Sequence, residues 1–370
     1  MSRPVALLFA TSGHSGVDRV IANLLPELGK VEHIFHLLVI RGHGPAIPER
    51  LPANIRVIRL PVGSKRAVFL PLLVYLLVYR PAVLLTANHV LNRTVLWARR
   101  TLRLDTRVVI RMGMSVTGMA ADLTPRQGKA LYASMRRWYP LADAAIVPSA
   151  GVGEDLVAIA GVERRRLHVI RNPIVNDLLE QKAREPLDHR WYGQPGCPLI
   201  LGVGSLEPRK DFSTLIRAFA RLREQRPARL IILGKGRERG ALLDLAVQLG
   251  IREFVDLPGY DPNPYRHMRR ADLFVLSSIR EGASAVIVEA LACGTPVVST
   301  DCPSGPAETL KQGRLGRLVP VGDAEAMASA MAATLDDVVP KEALLDAVIE
   351  HRADLAANRY LRAMGLSHVS

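Results

Sequence analysis

The sequence predicts an α/β protein of two Rossmann-like, doubly wound parallel-sheet domains in series, with a cleft between them. Three observations lead there. Short aliphatic runs alternate with helix-length segments from end to end. The alternation breaks once, at a stretch rich in charge, Pro and Gly, and then restarts. Several runs end in small-residue turns that open a helix, as in sheets that bind ligands beyond the carboxyl ends of their strands. The chain's 370 residues suit two domains of ordinary size, and a hydrophobic share of 49% is enough to fill two cores.

In the first domain, residues 1–175, the strand candidates are Val5–Ala10, His33–Ile40, Ile55–Leu60, Ala82–Thr86, Arg107–Arg111 and Ala144–Pro148. Each is short, aliphatic or β-branched, and bounded by Gly, Pro or polar residues. Val17–Gly29 and Arg126–Tyr139 have helical length between them. The first run flows into a glycine turn rather than a small-residue cleavage site, so it is expected as a strand, not a signal peptide. The segment Ala67–Tyr79, "AVFLPLLVYLLVY", is too short to span a bilayer and stops at Arg80-Pro81. It is expected as a buried or surface-lying helix. Residues 176–197 are expected to be the linker. The second domain, 198–350, offers strands at Leu199–Gly202, Leu230–Leu233, Phe254–Leu257, Leu273–Ser277 and Pro296–Ser299. The last stretch, 351–370, is expected to be a helical tail packing back on the first domain.

Charge is distributed unevenly. Residues 1–190 hold 27 Lys and Arg against 14 Asp and Glu, while residues 191–370 hold 22 against 21, so the excess of +13 in the first half nearly accounts for the net +14. Such a bias suits either an anionic partner, such as acidic lipid headgroups, or arginine-rich solvated faces. Nucleic acid is disfavoured as that partner, because aromatics are only 5% of residues and no recognised binding motif is present. Cys197, Cys293 and Cys302 have no metal-ligand spacing, and three cysteines do not make a secreted disulfide framework. Buried inert thiols and a cytosolic chain are the expectation.

Three glycine-bearing turns follow strands. "TSGHSGVDRV" places Gly13 and Gly16 before a helix whose free N–H groups favour an anion, although Asp18 complements the same dipole unaided. His14 is a lone turn histidine, expected in solvent. "LGVGSLEPRKDFSTLIRAF" sets Arg209 and Lys210 just before an amphipathic helix, where a lysine either meets a phosphate or is a solvated loop residue. "LIILGKGRE" repeats the logic with Gly234 and Gly236. Neither turn is a dinucleotide fingerprint, since Glu207 and Arg239 stand where the third glycine belongs, which disfavours an oxidoreductase.

The most informative stretch is "REGASAVIVEALACGTPVVSTDCPSG", from Arg280 to Gly305. Glu281 precedes a helix and Glu289 lies inside it. The small residues Gly282, Ala283, Ser284 and Ala285, followed by Val286, let the backbone approach a ligand at the first turn. The two acids are eight residues apart and so do not share one helical face as an i, i+4 pair would. They either grip different hydroxyls of one elongated ligand, or serve as a helix-cap substitute and a buried ion-pair partner.

"EGASAVIVEALACGTPVV" resembles the E-x7-E segment of retaining glycosyltransferases of family 4, which have the GT-B fold. "GVGSLEPRKDFSTLIRAF", "LIILGKG", "ADLFVLSSIREG", "VVSTDCPSGPAETL" and "VIRNPI" resemble further segments of that family, in the family's order, and "SGVDRVIANLL" resembles its N-terminal glycine loop. The resemblance implies transfer of a hexose-type sugar from a nucleotide sugar, with retention and without a metal or other cofactor. A UDP-sugar is favoured over a GDP-sugar. By resemblance Lys210, Arg209 and the amides of Gly282–Val286 would contact the diphosphate, and the glycines Gly16, Gly234 and Gly236 would belong to the donor-binding site. Glu289 would hold the ribose, Glu281 would act catalytically at the donor sugar, and the base would lie near Leu257–Tyr260, with Tyr260 beside it. Two positions depart from the family pattern. Ser205 stands where an arginine is common, and Gly113 where a histidine is common; His89, in another loop, is the acceptor-side candidate. The implied acceptor is a cell-surface glycan or glycolipid, such as lipopolysaccharide core, capsule or a lipid-linked oligosaccharide, handled by a cytoplasmic enzyme at the inner face of the cytoplasmic membrane. The alternatives are a small soluble acceptor, or a relative that binds the sugar nucleotide without turning it over.

Overall fold

The computed structural model describes residues 3–9, 16–40, 50–64, 67–121, 123–193, 195–281, 284–303 and 305–366. The chain divides into two compact units, Met1–Ile174 with His351–Ser370, and Val175–Glu350.

The first unit runs β1 (Val5–Phe9), α1 (Gly16–Leu28), β2 (Phe35–Ile40), β3 (Ile55–Leu60), α2 (Phe69–Tyr79), β4 (Val83–Ala87), α3 (His89–Leu102), β5 (Arg107–Arg111), α4 (Val116–Ala120), α5 (Pro125–Trp138), β6 (Ala144–Val147), α6 (Ala150–Ala160) and β7 (Leu167–Val169). Its seven strands order β3-β2-β1-β4-β5-β6-β7, with every pairing parallel. Helices cover both faces, which is why β1 and β4 are buried throughout rather than alternating. Along β1, Ala6 and Leu8 enter one core with α2, α3, α5 and α6, while Val5, Leu7 and Phe9 enter the other with α1. Helix starts follow local chemistry: Asn88 caps α3, Thr124 and Gln127 form a capping box ahead of Pro125, and Ser149 caps α6.

The second unit runs α7 (Asp177–Arg184), β8 (Leu199–Val203), α8 (Phe212–Gln225), β9 (Arg229–Leu233), α9 (Arg239–Gln248), β10 (Val255–Gly259), α10 (Tyr265–Met268), β11 (Leu273–Leu276), α11 (Ala285–Ala292), β12 (Val297–Thr300), α12 (Pro306–Thr309), β13 (Arg317–Val319), α13 (Ala324–Asp336) and α14 (Lys341–Ala347). Its six parallel strands order β10-β9-β8-β11-β12-β13. The order reverses at β8 and β11, so the crevice beyond their carboxyl ends is where such a sheet takes a ligand.

The segment 176–197 is folded, not a bare connector. Asn176 accepts from the Leu179 N–H to start α7, whose Leu179 and Ala183 are buried, and Trp191 is buried beyond it. The tail forms α15 (Ala353–Met364), which lies along α1 in the first unit and adds Ala356, Tyr360, Leu361 and Met364 to that core. Buried Arg111 at the end of β5 donates to Tyr360 Oη at 2.8 Å and to Asn172 Oδ1 at 2.7 Å, which pins the returning helix.

Candidate active site

Each strand end at the second sheet's switch point contributes one group. Beyond β8 the backbone makes a tight turn and a single 3-10 turn, Pro208–Lys210, before α8. Lys210 is buried there, and its stem packs over Gly204, where an added β-carbon would stand 3.1 Å from Lys210 Cε. It is not a solvated loop residue; Arg209, next to it, is exposed. Beyond β11, Ser277 Oγ donates to the Lys210 carbonyl at 2.8 Å and the Ile279 N–H to the Arg209 carbonyl at 2.9 Å, so the two loops are stitched together. The stitching brings Glu281 to Lys210: Nζ lies 2.5 Å from Oε1, with the side chains only 10% and 11% exposed. Ser278 Oγ donates to the same carboxylate oxygen at 2.7 Å, and Thr300 Oγ1 from β12 fixes the Ser278 carbonyl at 2.6 Å.

The two helices that open at this edge differ. Asp211 caps α8 with its own carboxylate, accepting from the Thr214 N–H. At α11 the cap residue is Ser284, in the left-handed region at φ 41°, and its side chain makes no capping bond. Ser284 is buried, and its Oγ has no hydrogen-bond partner among the described residues. Burying a hydroxyl without a partner is costly, so a helix start left this way is suited to receive an acceptor atom from a ligand. Ala285 and Val286, the first helical residues, are half-buried. Gly282 and Ala283 lie outside the described residues. Glu289 is buried one turn into α11, and Tyr265 Oη of α10 donates to its Oε1 at 3.5 Å.

Glu281 is therefore not the cap of α11; its carboxylate is held by Lys210 and Ser278. Gly234 and Gly236 lie where two loops meet. A β-carbon at Gly234 would stand 1.8 Å from the Gly204 carbonyl oxygen, and one at Gly236 would stand 2.2 Å from that of Leu206. These glycines let the loop after β9 lie against the loop after β8. Tyr260, after β10, is exposed, with Lys235 Nζ 5.6 Å from its ring centroid. Burial beside the Glu281 carboxylate pushes the Cys302 thiol, beyond β12, up to about 11.

In the first unit, Gly16 is the first residue of α1, and Gly13 and His14 lie outside the described residues. His89 opens α3 beyond β4. Its Nδ1 is 3.1 Å from Tyr139 Oη, and burial, with Arg93 nearby, lowers its pKa to about 4. A neutral imidazole held by a buried phenol is its state at neutral pH. A side chain at Gly113 would crowd Arg111, since its β-carbon would stand 3.2 Å from Nη1.

Ser278, Thr300 and Tyr265 orient the carboxylates and were not singled out from the sequence; the only linear signal was the S-x-x-E spacing of Ser278 and Glu281. Among the described residues, no three of His, Cys, Asp and Glu gather where they could hold a metal ion. A separate cavity of about 880 Å³ opens at the opposite, amino edge of this sheet, beside Pro198, Arg226, Asp272 and Pro296. It holds none of the groups described above.

Comparison with known proteins shows the family. Residues 15–173 match the glycosyl transferase 4-like domain, and residues 190–358 match glycosyl transferases group 1. The chain is 31% identical over 335 residues to N-acetylgalactosamine-N,N'-diacetylbacillosaminyl-diphospho-undecaprenol 4-alpha-N-acetylgalactosaminyltransferase of Campylobacter jejuni, covering 88% of each. It is 30% identical over 327 residues to the GDP-mannose-dependent alpha-mannosyltransferase of Mycobacterium tuberculosis, covering 84% of this chain and 82% of the relative. The structure of the lipopolysaccharide outer core galactosyltransferase WaaB in its apo form superposes with a TM-score of 0.74 at 19% identity, covering 98% of this chain and 99% of that one. Family matches across both halves and a relative aligned over most of its length place the chain among the glycosyltransferases of the GT-B fold, with a family 4-like first half and a group 1 second half.

Proposed function

We propose that this glycosyltransferase moves a hexose-type sugar from a nucleotide-sugar donor to a lipid-linked or cell-surface glycan acceptor, with retention at the anomeric carbon and without a metal. The observation that carries the reading is the paired Lys210 and Glu281 beside the uncapped start of α11. A nucleoside diphosphate supplies an anion for the first N–H groups of α11 and the Ser284 hydroxyl, and a second anionic partner for Lys210 beside Glu281. These groups do the work that a divalent cation does elsewhere, stabilising the leaving diphosphate as the glycosidic bond breaks. Glu281 then accepts from a hydroxyl of the donor sugar, and Glu289 from the ribose. A phosphate oxygen of the leaving group takes the acceptor hydroxyl's proton on the face it has just left. That step needs no enzymic nucleophile and retains configuration.

The acceptor class rests on likeness. The Campylobacter relative's name specifies a diphospho-undecaprenol acceptor. The basic excess of the first 190 residues suits work at an anionic membrane from its cytoplasmic face. Among donors, UDP-sugars are our first choice over GDP-sugars. The test is a thermal-shift panel of nucleoside diphosphates and nucleotide sugars, followed by NMR of the product's anomeric proton. Stabilisation by one base, turnover unaffected by EDTA and an unchanged anomeric configuration support the reading. An inverted product, or turnover abolished by EDTA and restored by a divalent cation, overturns the mechanism.

A further inference from the structure

Helix α2 is apolar on every side, "FLPLLVYLLVY", yet the fold buries only one of its faces. Leu72, Tyr75 and Leu76 enter the core, whereas Leu70, Val74, Leu77 and Val78 are 68%, 61%, 50% and 67% exposed. The exposed set falls at i, i+4, i+7 and i+8, a single stripe along the helix. Scattered surface leucines need no explanation, but a continuous apolar stripe on one helix does. At 11 residues the helix is about 16 Å long, enough to lie in a bilayer interface and too short to cross one.

What surrounds the stripe says what covers it. Between Glu49 and Asp105 the sequence has ten Lys and Arg and no Asp or Glu. At the start of α2, Phe69 packs edge-on against Trp97 of α3, with ring centroids 4.6 Å apart. Arg93 and Arg100, both exposed, lie one turn to either side of Trp97 on that face of α3. At the end of α2, Tyr79 meets the His36 ring at 5.0 Å, and His36 is paired in register with exposed Arg56 of the edge strand β3. Exposed Arg80 follows directly. An apolar stripe bracketed by arginines, in a stretch without a single carboxylate, complements a surface that is anionic outside and hydrocarbon within.

We propose that α2 is the element by which this protein docks on an anionic phospholipid bilayer, its Leu70–Val78 stripe entering the acyl boundary and the flanking arginines meeting headgroup phosphates. The proposal extends the acceptor side of the function proposed above, and it is tested independently of turnover. Wild-type protein is sedimented with vesicles of phosphatidylcholine alone, or with 30 mol% phosphatidylglycerol as a chosen probe, alongside the triple variant Leu70→Gln, Val74→Gln, Val78→Gln and the double variant Arg93→Gln, Arg100→Gln. Wild type is expected to bind the anionic vesicles at least tenfold more tightly than the neutral ones. The triple variant should lose tenfold or more at any ionic strength, and the double variant should lose binding with a weakened salt dependence. Each variant is checked for nucleoside diphosphate binding by thermal shift, which reports on the second unit. Loss of vesicle binding with nucleotide binding intact supports the docking role. Vesicle binding by the triple variant equal to wild type overturns it. So does a wild-type dimer by light scattering that the triple variant converts to monomer, because a second copy then covers the stripe. Failure of nucleotide binding with vesicle binding retained counts against the donor site alone.

Discussion

Removing Lys210 tests whether the pair at the heart of the site is a working ion pair. Lys210→Met keeps the stem that packs on Gly204 but leaves the Glu281 carboxylate, only about a tenth exposed, with the Ser278 hydroxyl still donating to it. Breaking a buried pair by deleting one partner costs about 3–5 kcal/mol. With some exposure left and Ser278 still donating, the lower end applies, about 3 kcal/mol. In a domain of this size that lowers the melting temperature by about 6–12 °C. Glu281→Gln should cost less, about 1–2 kcal/mol, because a flexible ammonium can turn toward water. The double variant removes both charges, so its cost should fall short of the sum of the singles by about 2 kcal/mol. The assay is calorimetry of the four proteins with and without nucleoside diphosphate. Diphosphate should stabilise Glu281→Gln at least as well as wild type, since Lys210 no longer has a competing carboxylate, and should barely stabilise Lys210→Met. Single costs that simply add, or full diphosphate protection of Lys210→Met, would refute the reasoning.

Three further outcomes follow from other parts of the fold. Gly234→Ala should destabilise the second unit by about 3 kcal/mol or more in thermal melts, because its β-carbon has no room beside the Gly204 carbonyl and φ is +157°. Burial holds the thiols of Cys293 and Cys302 at about 12 and 11, so at pH 8 an aromatic disulfide reagent should label only half-buried Cys197 in the native protein and all three after unfolding. His89 is neutral in the folded chain down to a pKa of about 4, while the unfolded chain takes up that proton near 6.5. Its contribution to stability is therefore complete above pH 6.5 and lost as pH falls from 6.5 to 4; discounted for partial exposure it is about 1–2 kcal/mol, and His89→Gln should flatten that part of the stability profile.

Much of the fold was legible because strands covered on both faces must be continuous aliphatic runs. The six candidates of the first sheet and five of the second all correspond to strands, within a residue or two at their ends. Two strands were missed, Leu167–Val169 and Arg317–Val319. Each has three residues and sits at a sheet edge, where one side needs no neighbour and the apolar pattern is too short to stand out. Helix α7 was hidden by its own charge: Asn176, Asp177 and Glu180 are good helix-start chemistry, but beside prolines and glycines they resembled a linker.

The site was legible in its residues and not in its contacts. Lys210 and Glu281 were both singled out, yet they are 71 positions apart and nothing linear says that one holds the other. Gly234 and Gly236 are a similar case: a glycine turn after a strand suggests close approach of a ligand, but nothing linear says that the neighbouring loop's backbone also lies against these glycines. For Ala67–Tyr79 the sequence allowed a buried or a surface-lying helix, and the structure makes it both, one face in each role.

The central claim is that the Lys210 and Glu281 site transfers a sugar from a nucleotide to a lipid. It is tested most directly by incubating wild type and Glu281→Gln with radiolabelled nucleotide sugars and a bacterial membrane lipid extract, then counting the label in the organic phase. Wild type should move label from one nucleotide sugar into the lipid with EDTA present, and Glu281→Gln should fall at least 100-fold while still binding the nucleoside diphosphate. Equal transfer by the two proteins would contradict the account, and so would wild-type label that stays water-soluble with every donor.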